Sequence, residues 1–237
     1  MSIFSASYQA PDQRITPPDL AHFQSMPWTN AFLTDPTYRA IPRYTAPEKN
    51  DGHTLMGETW NTDRTIVHMI TFAKASPEKA KKQTDAPSPI LASLAVPTPQ
   101  DDPTLITRFY TLGNGLNAHP SLLHGGVIAT ILDSTLGAAT GIHISLPSTL
   151  APYGPGARLT TFTVDLRITY KKPVKTPCTI CARSWVVRSE GRKVFVKGWI
   201  GGEDGTVHSL AEGIWVMVHT NSKKGIEGDK GKDKGKL

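Results

Sequence analysis

Between His119 and His143 the chain reads HPSLLHGGVIATILDSTLGAATGIH, with apolar side chains at Val127, Ile128, Ile131, Leu132, Leu136 and Ala139. That i, i+3, i+4 recurrence predicts a helix with one face on a core. The opposite face carries Gly126, Ala129, Thr130, Asp133, Gly137 and Thr140: small side chains around one carboxylate. A solvated helix face normally holds Lys, Glu and Arg, and this one holds none. The pattern predicts a face covered by another backbone or a ligand, with Asp133 held in a crowded place that needs a reason.

After a Gly/Pro-rich loop over 147–156, the pattern shifts from a period of 3.6 to a period of 2. LTTFTVDLRITY (159–170) puts Phe162, Val164, Leu166, Ile168 and Tyr170 on one face, and Thr161, Thr163, Asp165, Arg167 and Thr169 on the other. TICARSWVVRS and RKVFVKGWIG read as strands joined at Glu190-Gly191. TVHSLAEGIWVMVH follows the Glu203-Asp204-Gly205 turn, where Asp-Gly is a strong hairpin signal. Upstream, LITRFYTL reads as a strand and GNG as a turn. The order is strand, long helix, then four strands. So apolar a helix cannot stand free, which predicts an α+β domain whose antiparallel sheet wraps a central helix.

The rest is less periodic. Residues 56–74 suit a strand or a short helix equally. Residues 1 to about 55 read as an extended arm with room for a short helix, packed on the domain through Trp28, Phe32 and Tyr38. A linker with six prolines and the cluster Lys79, Lys81 and Lys82 follows from Ala75 to Pro103. The expected division is 1–103 arm and linker, 104–220 domain, and 221–237 a disordered Lys/Gly-rich tail.

Composition changes this picture little. A length of 237 residues at 38% hydrophobic supports a real core. No stretch approaches about 18 consecutive apolar residues, so no membrane span is expected. Two cysteines fit a reducing compartment rather than a disulfide scaffold. Half of the +6 formal charge sits in the tail, where six lysines face three acidic residues, so the body does not call for nucleic acid. The N-terminus lacks an apolar signal core and carries Asp12 and Asp19 early, which favours a cytoplasmic protein, with a mitochondrial one as the alternative.

The candidate chemistry starts at the glycine pair. A helix start offers free N–H groups and a partial positive charge, and Gly125 and Gly126 leave them open to an oxygen gaining charge. Asp133 lies two turns on. Donors plus a carboxylate suffice to polarise an acyl carbonyl and to activate water or attack it. Close packing by the glycines and a structural bond from Asp133 remains the alternative. Cys178-Thr179-Ile180-Cys181 has no second pair and sends its thiols to opposite strand faces. His119 and His124, five apart, could chelate a metal, but His119 reads better as loop structure and His124 as a packing or hydrogen-bonding residue at the helix start, so no metal site is expected.

HGGVIATILDSTLG, a Thr-rich strand ending YKKPV, the hairpin EGRKVFVKG and EDGTVHSLAEGIWV together resemble hotdog-fold acyl-CoA thioesterases, in particular the phenylacetate-pathway and THEM4-like group. The resemblance covers about residues 100–219 and leaves out the arm. It implies a hotdog fold, hydrolysis of an acyl-CoA thioester, and self-association as a dimer or tetramer with the site between subunits. Residue by residue, it implies that His124, Gly125 and Gly126 form the carbonyl-polarising HGG. Asp133 becomes the nucleophile or general base, and Thr163 a hydroxyl that helps hold the water or carboxylate. No separate cofactor is implied, because coenzyme A is part of the substrate. Its phosphates need cations, for which Lys171, Lys172, Arg192 and Lys193 are candidates; alternation sends Lys193 to the opposite face from Arg192. A hydratase or dehydratase on the same fold and a non-catalytic acyl-CoA binder are the competing readings.

Overall fold

The computed structural model describes residues 16–41, 54–74 and 106–219. Nine strands and four α-helices are labelled here in chain order among those residues. The spine is α3, Gly125–Ser145, 21 residues and about 31 Å long. Val127, Ile128, Ile131, Leu132, Leu136 and Ala139 are all buried, as the apolar recurrence predicts. By length and composition α3 could cross a membrane. Its apolar side chains are instead packed in the core of the wrapping sheet, which accounts for its composition.

That sheet has seven antiparallel strands in the order β1-β2-β3-β7-β8-β9-β6. The strands are β1 (Tyr38–Ile41), β2 (Ile66–Lys74), β3 (Ile106–Leu112), β6 (Leu159–Tyr170), β7 (Cys178–Glu190), β8 (Lys193–Gly201) and β9 (Val207–His219). A small ribbon of β4 (Asn117–His119) and β5 (Leu122–Leu123) leads into α3, and the short α4 (Pro147–Leu150) follows it. One long helix wrapped by an antiparallel sheet is the hotdog architecture. Residues 56–74, ambiguous in sequence, form part of a π-helical turn (Leu55–Thr59) and then β2. GNG (113–115), read as a turn, runs into a single 3₁₀ turn, Asn114–Leu116.

Part of the sheet face away from α3, over β1, β2, β3, β7 and β8, is covered as well. Helices α1 (Pro17–Gln24) and α2 (Pro27–Thr34) lie on it, each with proline in its first turn, where a missing N–H costs nothing. Phe23, Trp28 and Phe32 pack against Ile70, Phe72, Phe109, Cys181 and Trp199, with Tyr38 at the margin. The ring of Phe109 meets Trp28 edge-on at 4.9 Å and Phe32 at 5.2 Å. A polar clasp flanks this second core: the buried Asp19 carboxylate accepts from His68 Nδ1 at 2.8 Å, and His22 stacks on His68 at 4.1 Å.

Strand β6 departs from its sequence pattern. Its pairing with β9 slips between Thr163 and Asp165, so that Thr163 faces Trp215 while Asp165 faces Ile214. Val164 is the extra residue of a β-bulge. A one-residue insertion inverts the faces beyond it. Thr161 and Thr163 therefore share the α3 side with Leu166, Ile168 and Tyr170, whereas Phe162 and Val164 point away and are exposed. The clean alternation read from the sequence, with Tyr170 opposite Thr163, is corrected by this bulge.

Candidate functional site

The start of α3 is capped by its own preceding residue. His124 is extended (φ −65, ψ 134), and its Nδ1 accepts from the Gly126 amide at 2.8 Å. That bond occupies one of the two glycine amides expected to face a substrate. The donor left open is the Gly125 N–H, for which no hydrogen-bond acceptor is found among the described residues. The nearest atoms to a Cβ on Gly125 would be those of Tyr170, at an ordinary 3.6 Å or more. The described residues thus do not demand glycine at 125 on steric grounds. Gly126 is tighter, because a Cβ there would stand 3.0 Å from the His124 ring.

Asp133 is half-buried on the small-residue face of α3 and accepts from Thr163 Oγ1 through Oδ1 at 2.9 Å. The family resemblance implies a Thr163 hydroxyl that holds the water or the carboxylate, and the bulge at Val164 is what aims Thr163 at the helix. The turn just beyond Asp133 is pinned from the wall side. Arg108 Nη1 donates to the Ser134 carbonyl (2.9 Å) and to Ser134 Oγ (2.8 Å), and Ser184 Oγ donates to the Thr135 carbonyl at 2.7 Å. Asp133 therefore sits on a segment of α3 anchored by strands β3 and β7. The small face itself is only partly covered: Ala129, Thr130, Asp133 and Gly137 are half-buried and Gly126 is exposed, while Thr140 is fully buried against Thr161.

Gly125 and Asp133 are eight residues apart, about 12 Å along the helix axis. One thioester carbonyl cannot reach an amide and a carboxylate at that separation, because reacting groups must lie roughly 3 Å away. Within one chain the Gly125 amide and the Asp133 carboxylate do not meet.

The candidate cations divide the same way. Lys171 and Lys172 are exposed at the end of β6, next to Tyr170 and the start of α3, and their amides donate to the His208 carbonyl. Arg192 and Lys193 are exposed at the β7–β8 turn, where Gly191 has φ 56. Lys193 pairs with Val216, which pairs with Phe162, so this turn is level with the Thr163 end of β6. The two pairs lie at opposite ends of the sheet, and not around one pocket mouth within the chain. Lys193 lies on the face away from α3, since its neighbour Val194 is buried in the core.

Tyr170 is the residue that sequence reasoning missed. Its Oη donates to the Gly125 carbonyl at 3.0 Å. The available signal was Gly213 on β9, where a Cβ would stand 2.6 Å from the Asp165 carbonyl oxygen. A glycine inside a strand marks a bulge or a close backbone approach. Cys178 and Cys181 fall on opposite faces, Cys181 in the arm-side core, with thiols pushed up by burial to about 11 and about 12. No metal-binding cluster of His, Cys, Asp and Glu occurs among the described residues.

Residues 121–207 match the family model of the thioesterase superfamily. The acyl-coenzyme A thioesterase THEM4 of Xenopus laevis is 33% identical over 107 residues, 45% of this chain and 42% of its own. The THEM4 of Rattus norvegicus is 31% identical over 107 residues, 45% of this chain and 40% of its own. The matched part therefore spans about two fifths of the length of these relatives. A hypothetical thioesterase of Streptococcus pneumoniae TIGR4, solved with coenzyme A, is 16% identical, covering 50% of this chain and 85% of its own, with a TM-score of 0.41.

Proposed function

We propose, from the premise that residues 121–207 form a domain of the thioesterase superfamily, that the chain hydrolyses an acyl-CoA thioester to a free acid and CoA. The active unit is a pair of chains. The Gly125 amide of one copy polarises the thioester carbonyl, and Asp133 of the other activates water or attacks the carbonyl itself. In the water route the carboxylate takes a proton as the oxygen adds to the acyl carbon. The C–S bond then breaks, and that proton passes to the departing thiolate. Thr163 holds the carboxylate in place, and His124 presents the amide by capping the helix.

The observation that carries this reading is the pairing of an open donor at Gly125 with a braced carboxylate 12 Å away on the same small-sided helix. A second copy related by two-fold symmetry brings each group to the other's complement. It also brings Lys171 and Lys172 of one copy to the same site as Arg192 of the other, so both cation groups serve one CoA. The exposed edge strand β6, with Phe162 and Val164 uncovered, supports such a pairing.

A panel of acyl-CoAs with thiol release as the readout tests the activity. The expected result is turnover on at least one acyl class, with Asp133→Ala abolishing it. Full turnover by Asp133→Ala would sink the mechanism, and tight acyl-CoA binding without thiol release would favour a non-catalytic binder. An enoyl-CoA assay separates the hydratase or dehydratase reading, which expects water added or lost without thiol release.

A further inference from the structure

Strand β6 reaches both halves of the proposed site, and only its Thr163 contact has so far a chemical role. At the other end Tyr170 Oη donates to the Gly125 carbonyl at 3.0 Å, and the Tyr170 ring stands 3.6 Å from where a Cβ on Gly125 would lie. The same peptide group is held from its other side, where the Gly126 N–H donates to His124 Nδ1 at 2.8 Å. Both polar atoms of the Gly125–Gly126 peptide are thus tied, one by the strand and one by the cap residue.

This bracing has a physical need behind it. Two successive glycines make the most permissive helix start available, and helix ends are where fraying begins. A donor meant for a developing oxyanion is effective only when held in place beforehand. Thr163 and Tyr170 are seven positions apart, so in a regular strand they would point to opposite faces. The extra residue at Val164 puts both on the α3 side, and bulges commonly re-aim side chains beside active sites.

We propose that Tyr170 is the positioning residue of the carbonyl-binding half of this site. Through the Gly125 carbonyl it holds the first turn of α3 so that the Gly125 amide faces the thioester oxygen. It touches no reacting atom. The assignment rests on the acyl-CoA hydrolase reading above for its target, but the bracing itself does not.

Tyr170→Phe in the full chain keeps the ring and removes the hydroxyl. Two readouts follow: kcat and KM on the best acyl-CoA, and amide hydrogen exchange along α3. The expected result is exchange at Gly126 about tenfold faster with the middle of α3 unchanged. With it, kcat falls about tenfold while KM stays within about twofold, the pattern of an interaction needed in the transition state. Wild-type kcat in the variant overturns the positioning role, and unchanged exchange at Gly126 overturns the bracing. A wild-type protein that released no CoA from any acyl-CoA would overturn the hydrolase reading and the thioester as target. The exchange measurement would still decide, by itself, whether Tyr170 holds the helix start.

Discussion

Gly125→Pro removes the proposed donor, replacing its N–H with the ring's Cδ, which also fills the space that the N–H faced. Position 125 is the first residue of α3, where proline's fixed φ is already helical. The residue before a proline must be extended, and His124 is so at ψ 134. The new Cβ would meet the Tyr170 ring at 3.6 Å, an ordinary contact. The fold should therefore hold, with a stabilisation of up to about 1 kcal/mol from the stiffer unfolded chain. Catalysis should not. Losing one oxyanion donor costs about 3–4 kcal/mol, or 10²–10³ in kcat. The assay is steady-state thiol release from the best acyl-CoA, with thermal unfolding alongside. An unchanged or raised Tm with kcat down about a hundredfold or more fits the reasoning. An unchanged kcat would refute the Gly125 amide as the carbonyl's donor.

Three further outcomes follow from the packing and the titrating groups. Phe32, 1% exposed among Phe72, Phe109 and Tyr38, should cost about 3–5 kcal/mol as Phe32→Ala, measured by chemical denaturation; a cost under about 1 kcal/mol would mean that the arm does not contribute to the core. Burial holds the pKa of His143 below its ordinary 6.5, and its buried Nε2 has no hydrogen-bond partner among the described residues. The unfolded chain then takes up the proton first, so stability should fall as pH drops below about 6.5, and His143→Gln should flatten that slope in a pH series of melts. With thiols pushed up to about 11 and about 12, Cys178 and Cys181 should resist iodoacetamide at neutral pH in the native protein and react once unfolded, as mass spectrometry would count.

The sequence showed the parts of this molecule whose signals are local and periodic. The apolar face of α3 was legible because its six apolar positions repeat at helical spacing, and all are buried. Asp133 stood out because its neighbours are small, and Thr163 reaches it. The face assignment of β6 failed at Val164 because a bulge is set by the partner strand, where Gly213 admits the Asp165 carbonyl. That single insertion hid Tyr170. Strand β2 was ambiguous because both its faces are covered, one in the central core and one under the arm, so no alternation survives. The separation of Lys171 from Arg192 depends on strand order, which no local pattern encodes.

The central claim is that the catalytic unit takes its carbonyl donor from one chain and its carboxylate from another. Asp133→Asn and Gly125→Pro chains, each inactive alone, can be refolded together at equal concentration and assayed for thiol release. Random pairing makes half of the dimers mixed, and in each of these one of two sites is intact, so about a quarter of wild-type activity should return. A mixture as inactive as its separate components, with mixed dimers demonstrably formed, would contradict the shared site.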